Sequence, residues 1–402
     1  MGNKNVPSIR FKGFLDDWEQ RKLGEAVTFL NGRAYKQKEL LDKGKYRVLR
    51  VGNFNTNDFW YYSDLELEDN KYADKGDLLY LWATNFGPEI WKEERVIYHY
   101  HIWKLNINDV NLDKNYLYTW LITDKERIKQ TTNGTTMVHV TKGGMEERLF
   151  QNPTNIDEQI KIGNFFKKLD ETITLQEREL ELLKLTKKSF LQQLFTNNQE
   201  IFPNIRFANF HDEWKRRKLG NYAEILTGGT PKTSVHKYWE PKLVPWMSSG
   251  EVNKKRLNKT DNMISKEGLN NSSAHWIKKH SVLIALAGQG KTRGTVAINN
   301  IELTTNQSIA AIVPTDTFYY EFIYQNLIKR YEELRKISSG DGTRGGLNKQ
   351  IISDVIIMSP NKMEQVLIGS FLKQLDRSIT LQENELENLK NIKSAFLQKM
   401  FI

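Results

Sequence analysis

Few side chains in this chain are spaced for bond-making chemistry. Seven histidines are scattered, and His99 with His101 is the close pair. Alternate residues of a strand face the same way, so two imidazoles there could begin a metal site, but no third or fourth ligand stands beside them. A strand facing solvent or a polyanion is the better reading. Ala285-Leu286-Ala287-Gly288-Gln289-Gly290-Lys291-Thr292 ends like a phosphate-binding loop, yet Ala285 stands where that motif needs its first glycine. Arg293 to Ile298 then read as a strand, whereas a phosphate cradle needs a helix N-terminus to present its amides. Glu240-Pro241-Lys242 resembles the tail of a nuclease carboxylate motif, without an acidic partner at a suitable distance upstream. No nucleophile elbow, dinucleotide fingerprint or Asn-Pro-Pro-aromatic motif is present. The chain has no cysteine, which excludes disulfides, thiolate metal sites and cysteine nucleophiles and fits a cytoplasmic setting.

Hydrogen-bonding and cationic side chains on short loops are what the sequence offers instead. In the second half these are Thr230, Lys232 and Ser234 in Gly228–Lys237, Lys254 in Trp246–Lys254, Gln289, Lys291 and Arg293 in Ala287–Arg293, and Thr343 and Arg344 in Ser339–Lys349. The first half answers with Arg33 and Lys36 in Asn31–Lys38, Asn53 and Asn55 in Arg50–Asn55, Asn85 in Thr84–Pro88, and Thr135 in Asn133–Lys142, with His99 and His101 added. One such loop is ordinarily a surface turn. Four at matching places in both halves suit contacts to phosphates and base edges.

Charge points the same way. The formal net charge is +10. Residues 1–151 hold 23 Lys+Arg against 22 Asp+Glu, residues 205–358 hold 23 against 14, and the rest is balanced. A basic surface draws polyanions by releasing their counterions, and nucleic acid is the usual polyanion inside a cell.

The elements that must hold these loops occur twice. Ile9-Arg10-Phe11, Asp17-Trp18 and Arg21-Lys22-Leu23-Gly24 return 196 positions on as Ile205-Arg206-Phe207, Glu213-Trp214 and Arg217-Lys218-Leu219-Gly220. A second block, from Glu158-Gln159 through Ile162-Gly163 and Leu169-Asp170 to Phe190-Leu191-Gln192, returns 206 positions on as Glu364-Gln365, Ile368-Gly369, Leu375-Asp376 and Phe396-Leu397-Gln398. This block reads as helix. Asn155 with Glu158, and Asn361 with Glu364, have capping-box spacing. A heptad follows, with Ile173, Leu180, Lys187 and Leu194 at one seam position and Gln176, Leu183 and Phe190 at the other. The second copy gives Ile379, Leu386, Lys393 and Met400, then Gln382, Leu389 and Phe396. Polar residues recurring at matching seam positions suggest that the two helices pack on each other. Between the blocks, Leu78–Ala83 and Val282–Ala287 have strand length, and Tyr116–Lys129 and Phe318–Lys336 read as amphipathic helices. The expected class is α+β: two similar mixed α/β domains separated by two long repeated helices that pack on each other. Boundaries fall at 1–151, 152–200, 201–358 and 359–402. No apolar run spans a bilayer, and the first residues lack a signal-peptide core and a myristoylation site, so no membrane partner is expected.

These residues resemble a family over the whole chain, most of all in Thr227-Gly228-Gly229-Thr230-Pro231, Tyr238-Trp239, Val244-Pro245-Trp246, Thr305-Asn306-Gln307 and Pro360 through Glu364-Gln365 to Leu375-Asp376. The chain resembles the specificity subunits of type I restriction-modification systems, with two target recognition domains. In the first half Asn31-Gly32-Arg33-Ala34-Tyr35 replaces Gly-Gly-Thr-Pro, and His99-Tyr100-His101 lies near the place of Thr305-Asn306-Gln307. The resemblance implies a non-catalytic subunit on double-stranded DNA that recruits two methylation subunits and two restriction subunits. It places S-adenosylmethionine, ATP and Mg in those partners, with no cofactor in this chain. It also implies that the repeated helices form an antiparallel coiled coil with pseudo-twofold symmetry and set the gap between recognition domains. Glu171 to Phe195 would span roughly 37 Å at about 1.5 Å per residue, or roughly one turn of duplex. Two other readings stay open: a self-sufficient nuclease or ATPase using Lys291 and Thr292, and a coiled-coil adaptor that does not read DNA.

Overall fold

A computed structural model of the chain describes residues 6–54, 57–83, 86–131, 140–197, 200–288, 292–337 and 346–401. Two compact units emerge, Met1–Glu177 with Asn384–Ile402, and Arg178–Glu383. The division runs through both long helices, Ile156–Gln193 and Lys362–Met400, and not at their ends. No described helix is long and apolar enough to cross a membrane.

Among the described residues, each unit is an α+β body with two larger sheets and a two-stranded one. In the first, a four-stranded sheet runs Val27–Asn31, Ile102–Ile107, Leu78–Leu81, Gly87–Ile90 in spatial order. A second runs Tyr61–Ser63, Tyr46–Leu49, Val96–Tyr98, Tyr72–Ala73. In the second unit a five-stranded sheet runs Ala223–Thr227, Ile309–Pro314, Val282–Ala285, Val296–Asn299, Arg256–Leu257. Its three-stranded companion runs Asn262–Ile264, Val244–Met247, Thr304–Thr305.

The apolar runs are explained by burial on both faces. Leu78 and Tyr80 point into one core while Leu79 and Leu81 point into another. Val282 and Ile284 are divided in the same way from Leu283 and Ala285. A strand buried on both sides loses the polar alternation of a half-exposed one.

The repeated residues bond to one another. Trp18–Lys22 pairs antiparallel with Leu149–Pro153, and Lys215–Lys218 with Ile356–Ser359, so the start and end of each domain meet beside a long helix. There Arg10 grips the Glu158 carboxylate with two N–H groups at 2.6 and 2.8 Å, and Arg206 grips Glu364 at 2.7 and 2.8 Å. Gln159 accepts from Asp113 N and donates to the Asn111 and Pro153 carbonyls. Gln365 likewise accepts from Tyr319 N and donates to those of Thr317 and Pro360. Gly163 lets the backbone of Tyr116 approach to where a Cβ would be 2.6 Å away. At Gly369 it is side chains that come close: a Cβ would lie 2.9 Å from Glu321 Cβ and 3.0 Å from the Tyr319 ring.

Two readings need correction here. The capping boxes are half formed: Asn155 accepts from Asp157 N and Asn361 from Glu364 N, but both glutamates turn to an arginine and leave the cap amide. A buried carboxylate gains more from a two-pronged guanidinium than from one backbone N–H. The helix read over Phe318–Lys336 is two, Tyr320–Lys329 and Tyr331–Ile337. Arg330 parts them and bonds Glu333 and the Ile356 carbonyl.

In each unit a piece of one long helix packs on a piece of the other. In the first unit, Asp170 pairs with Lys393 at 2.5 Å, Glu177 with Lys390 at 2.6 Å, and Phe165 meets Phe396 edge-on. In the second, Lys187 pairs with Asp376 at 2.5 Å, Lys184 with Glu383 at 2.6 Å, and Phe190 meets Phe371. Partner numbers fall on one helix as they rise on the other, so the pieces are antiparallel. Ile173, Leu180, Leu194, Ile379, Leu386 and Met400 are buried. Gln176, Leu183, Phe190, Gln382, Leu389 and Phe396 are half-buried beside them, as are Lys187 and Lys393. Leu194 lies one residue past its helix.

The helix ends complete the domain cores. Met400 and Phe401 join the core that holds Trp18 and Tyr116, and Leu194 and Phe195 join the one that holds Trp214 and Phe322. Ile9 N donates to the Lys399 carbonyl at 2.9 Å, and Ile205 N to the Gln193 carbonyl at 3.0 Å.

Candidate nucleic-acid interface

In the second unit the strand Ala223–Thr227 runs into Gly228-Gly229-Thr230, with Thr227 opposite Ala310 at the start of its neighbour. Gly228 lies against the Thr305 backbone so closely that a Cβ would overlap its carbonyl. Gly229 N donates to that carbonyl at 2.9 Å, and Trp246 Nε1 donates to the Gly229 carbonyl at 2.9 Å. The Thr230 hydroxyl donates to Gln307 Oε1 at 2.6 Å and ties the two motif loops together. Asn306 N donates to the Met247 carbonyl, Leu286 N to Ser308, and Leu347 N to Leu286. Segments around Thr230, Ser248, Leu286, Gln307 and Leu347 therefore gather at one sheet end.

Thr230, Lys232 and Ser234 are exposed there. Arg293 is half-buried in the turn that leads into Val296–Asn299, so the strand begins three residues later than the sequence suggested. Lys254 is committed within the protein: its ammonium meets Glu251 Oε2 at 2.9 Å and Asp261 Oδ1 at 2.6 Å. Asp261 first, with Glu251 behind it, holds its pKa above the usual lysine value. Gln289, Lys291, Thr343 and Arg344 lie outside the described residues, as do Asn55, Asn85 and Thr135 of the first half.

The first unit builds the same end differently. Gly32 lies against the His99 backbone as Gly228 lies against Thr305, and Arg33 N donates to the Tyr98 carbonyl at 3.0 Å. His99 N donates to the Leu49 carbonyl and Trp82 N to that of His101, which brings Arg33, Arg50, Trp82 and the two histidines to one end. His99 and His101 are not on a strand. They flank Tyr100 in the turn between Val96–Tyr98 and Ile102–Ile107, with ring centroids 4.8 Å apart. Tyr35 stacks over His99, and Trp82 meets His101 edge-on. Burial, then His101 and Arg50, lower the His99 pKa to about 4, so the ring is neutral at pH 7.

Several residues singled out by type are occupied. Arg33 Nη2 donates to Glu39 Oε1 at 2.7 Å. The Asn53 amide accepts from Arg50 N and donates to the Asn57 and Phe59 carbonyls, so it shapes its own loop. Lys36 is exposed. Arg50 heads the loop Arg50–Asn55, and its guanidinium lies 4.3 Å from the Tyr61 ring centre. Its only sequence signal was its place ahead of Asn53.

A family model for the type I restriction modification DNA specificity domain matches residues 15–185 and again residues 211–391. The specificity subunit of the MjaIX type I restriction enzyme of Methanocaldococcus jannaschii is 26% identical over 205 residues, covering 50% of this chain and 46% of that protein. The chain thus spans about half the length of that relative. The MjaVIII specificity subunit of the same organism is 22% identical over 398 residues, covering 95% of this chain and 91% of its own. A crystal structure of the S subunit of a type I restriction-modification system from M. genitalium superimposes with a TM-score of 0.70 at 16% identity, covering 99% of both chains, a likeness of fold. Matched twice over most of its length, this chain belongs to the type I restriction-modification DNA specificity family.

Proposed function

We propose that this specificity subunit reads a split, asymmetric DNA target, one part with the loop end of each unit. On this reading it is non-catalytic and directs adenine methylation and ATP-dependent cleavage by two methylation and two restriction subunits. S-adenosylmethionine, ATP and Mg would belong to those partners. Lysines and arginines would position the chain on phosphates, while loop side chains such as Thr230 and Arg293 would reach major-groove edges.

One observation carries this reading. Two loop clusters stand at matching ends of matching sheets, on the same glycine approach, yet display different side chains. A shared frame with Thr230, Gln307 and Ser308 in one unit and His99, Tyr100 and His101 in the other suits two different half-sites. The phosphate-loop alternative is disfavoured because Thr292–Gly294 lead to the strand Val296–Asn299 and present no helix N-terminus.

The test is adenine-methylation mapping by single-molecule sequencing, in a restriction-null host expressing this chain with its methylation subunit and in one expressing the methylation subunit alone. A two-part motif with a fixed gap, present only with this chain, is expected. A soluble complex without a motif would overturn the reading and favour the adaptor. Arg293→Ala should weaken binding by about 1–3 kcal/mol and relax one position of the motif.

A further inference from the structure

Arginines of the first unit mostly end on carboxylates. Arg10 meets Glu158, Arg21 Asp109, Arg33 Glu39, Arg47 Glu93, Arg95 Asp69 and Arg148 Asp124. This is how a domain with balanced charge keeps its cations internally satisfied. Arg50 is built in another way. Its guanidinium carbon lies over the Tyr61 ring at 4.3 Å, no ion pair joins it to a carboxylate among the described residues, and its buried Nε has no hydrogen-bond partner there.

The backbone beneath it is fixed. Arg50 follows the strand Tyr46–Leu49, its N–H donates to Asn53 Oδ1 at 3.0 Å, and its carbonyl accepts from Asn53 N at 2.9 Å. The preceding residue, Leu49, accepts from His99 N, so Arg50 starts beside the histidine turn at the loop end. Stacking holds the plane of a guanidinium while leaving its edge to donate, and a fork held at one angle suits paired acceptors in one plane. The N7 and O6 of guanine in the major groove form such a pair.

Building on the split-target reading, we propose that Arg50 is a specificity-determining residue of the first unit that recognises a guanine in its half-site. Tyr61 is its positioning residue: it sets the angle of the fork and touches no base.

The experiment compares the unaltered chain with Arg50→Ala, Arg50→Lys and Tyr61→Leu, each as a purified complex with its methylation subunit. Methylation motifs are mapped, and binding is measured on duplexes substituted singly at each position of the motif. Arg50→Ala should lower discrimination at one guanine of one half-site by about tenfold to hundredfold and leave the other half-site untouched. Arg50→Lys, which keeps the charge and loses the fork, should relax the same position. Tyr61→Leu should do so to a smaller degree. An unchanged motif for Arg50→Ala, or equal weakening on every duplex, would overturn the proposal in favour of a structural or phosphate role. If Arg50→Ala does not fold, the lysine variant decides alone. A motif absent even from the unaltered chain would instead overturn the split-target reading beneath it.

Discussion

Glu158 and Glu364 have no exposed side-chain surface, and each is answered by one arginine from the start of its own domain. Removing one partner of a buried pair leaves the other charged and unsolvated, a cost of about 3–5 kcal/mol. Arg10→Ala should therefore destabilise the first unit by about that much, and Arg206→Ala the second. Hydrogen exchange resolved by unit checks both, and equal loss of protection in the two units for either variant would contradict it. Both arginines and both glutamates were visible in the sequence as copies. Their partnership was not, because 148 and 158 residues separate them, and locally each glutamate resembles a capping residue. His99 gives a pH prediction. Its folded pKa of about 4 lies below the ordinary 6.5, chiefly through burial, so as pH falls the unfolded chain takes up the proton first. The stability it contributes is complete above pH 6.5 and is lost as pH falls towards 4. Thermal unfolding of the first unit should show that decline, and His99→Gln should flatten it. An identical pH curve for the variant would exclude His99 as the source.

The long helices show how far heptad reasoning reaches. Alternation of Ile173, Leu180 and Leu194 with half-buried polar positions was legible because side chains on one helical stripe share one environment. The acids that neutralise Lys187 and Lys393 were less legible, since Asp376 and Asp170 lie outside the seam positions. The two seams differ in strength. Asp376 receives Lys187, the Arg256 guanidinium at 3.4 Å and Gln325 Nε2 at 2.8 Å, while Arg256 also grips the buried Glu321. The sites around Asp376 and Asp170 are copies in sequence but not in surroundings. Asp376→Ala should cost the second unit about 3 kcal/mol or more, and Asp170→Ala the first about 1 kcal/mol or less. Similar losses in unit-resolved hydrogen exchange would contradict this ranking. The strands were legible from their apolar runs, but the break at Arg330 was not, because it depends on a carbonyl of Ile356 supplied from a distant strand.

At the scale of the molecule, duplication was legible because the copied residues are those that bind one another: the Ile-Arg-Phe and Glu-Gln blocks recur together as two halves of one lock. The loop ends were legible in position and much less in role. Arg33, Asn53 and Lys254 have the right types for contacting a polyanion, yet each is held within its own unit by partners that spacing does not reveal. The matched hydrogen bonds Ile9 to Lys399 and Ile205 to Gln193 have a further consequence. In the second unit the bonded residues are joined by the short segment 194–204, whereas in the first they stand 390 positions apart in sequence. A gene opened within residues 197–200 and closed from Lys399 to Ile9 by a copy of residues 194–204 should yield a protein that folds and directs the unaltered methylation motif. A melting temperature lowered by more than about 8 °C, roughly 2 kcal/mol or more for a unit of this size, would show that the joined copy does not fit beside Ile9 and Lys399. If the rearranged chain works, the order of the two readers along the chain does not decide which motif is methylated.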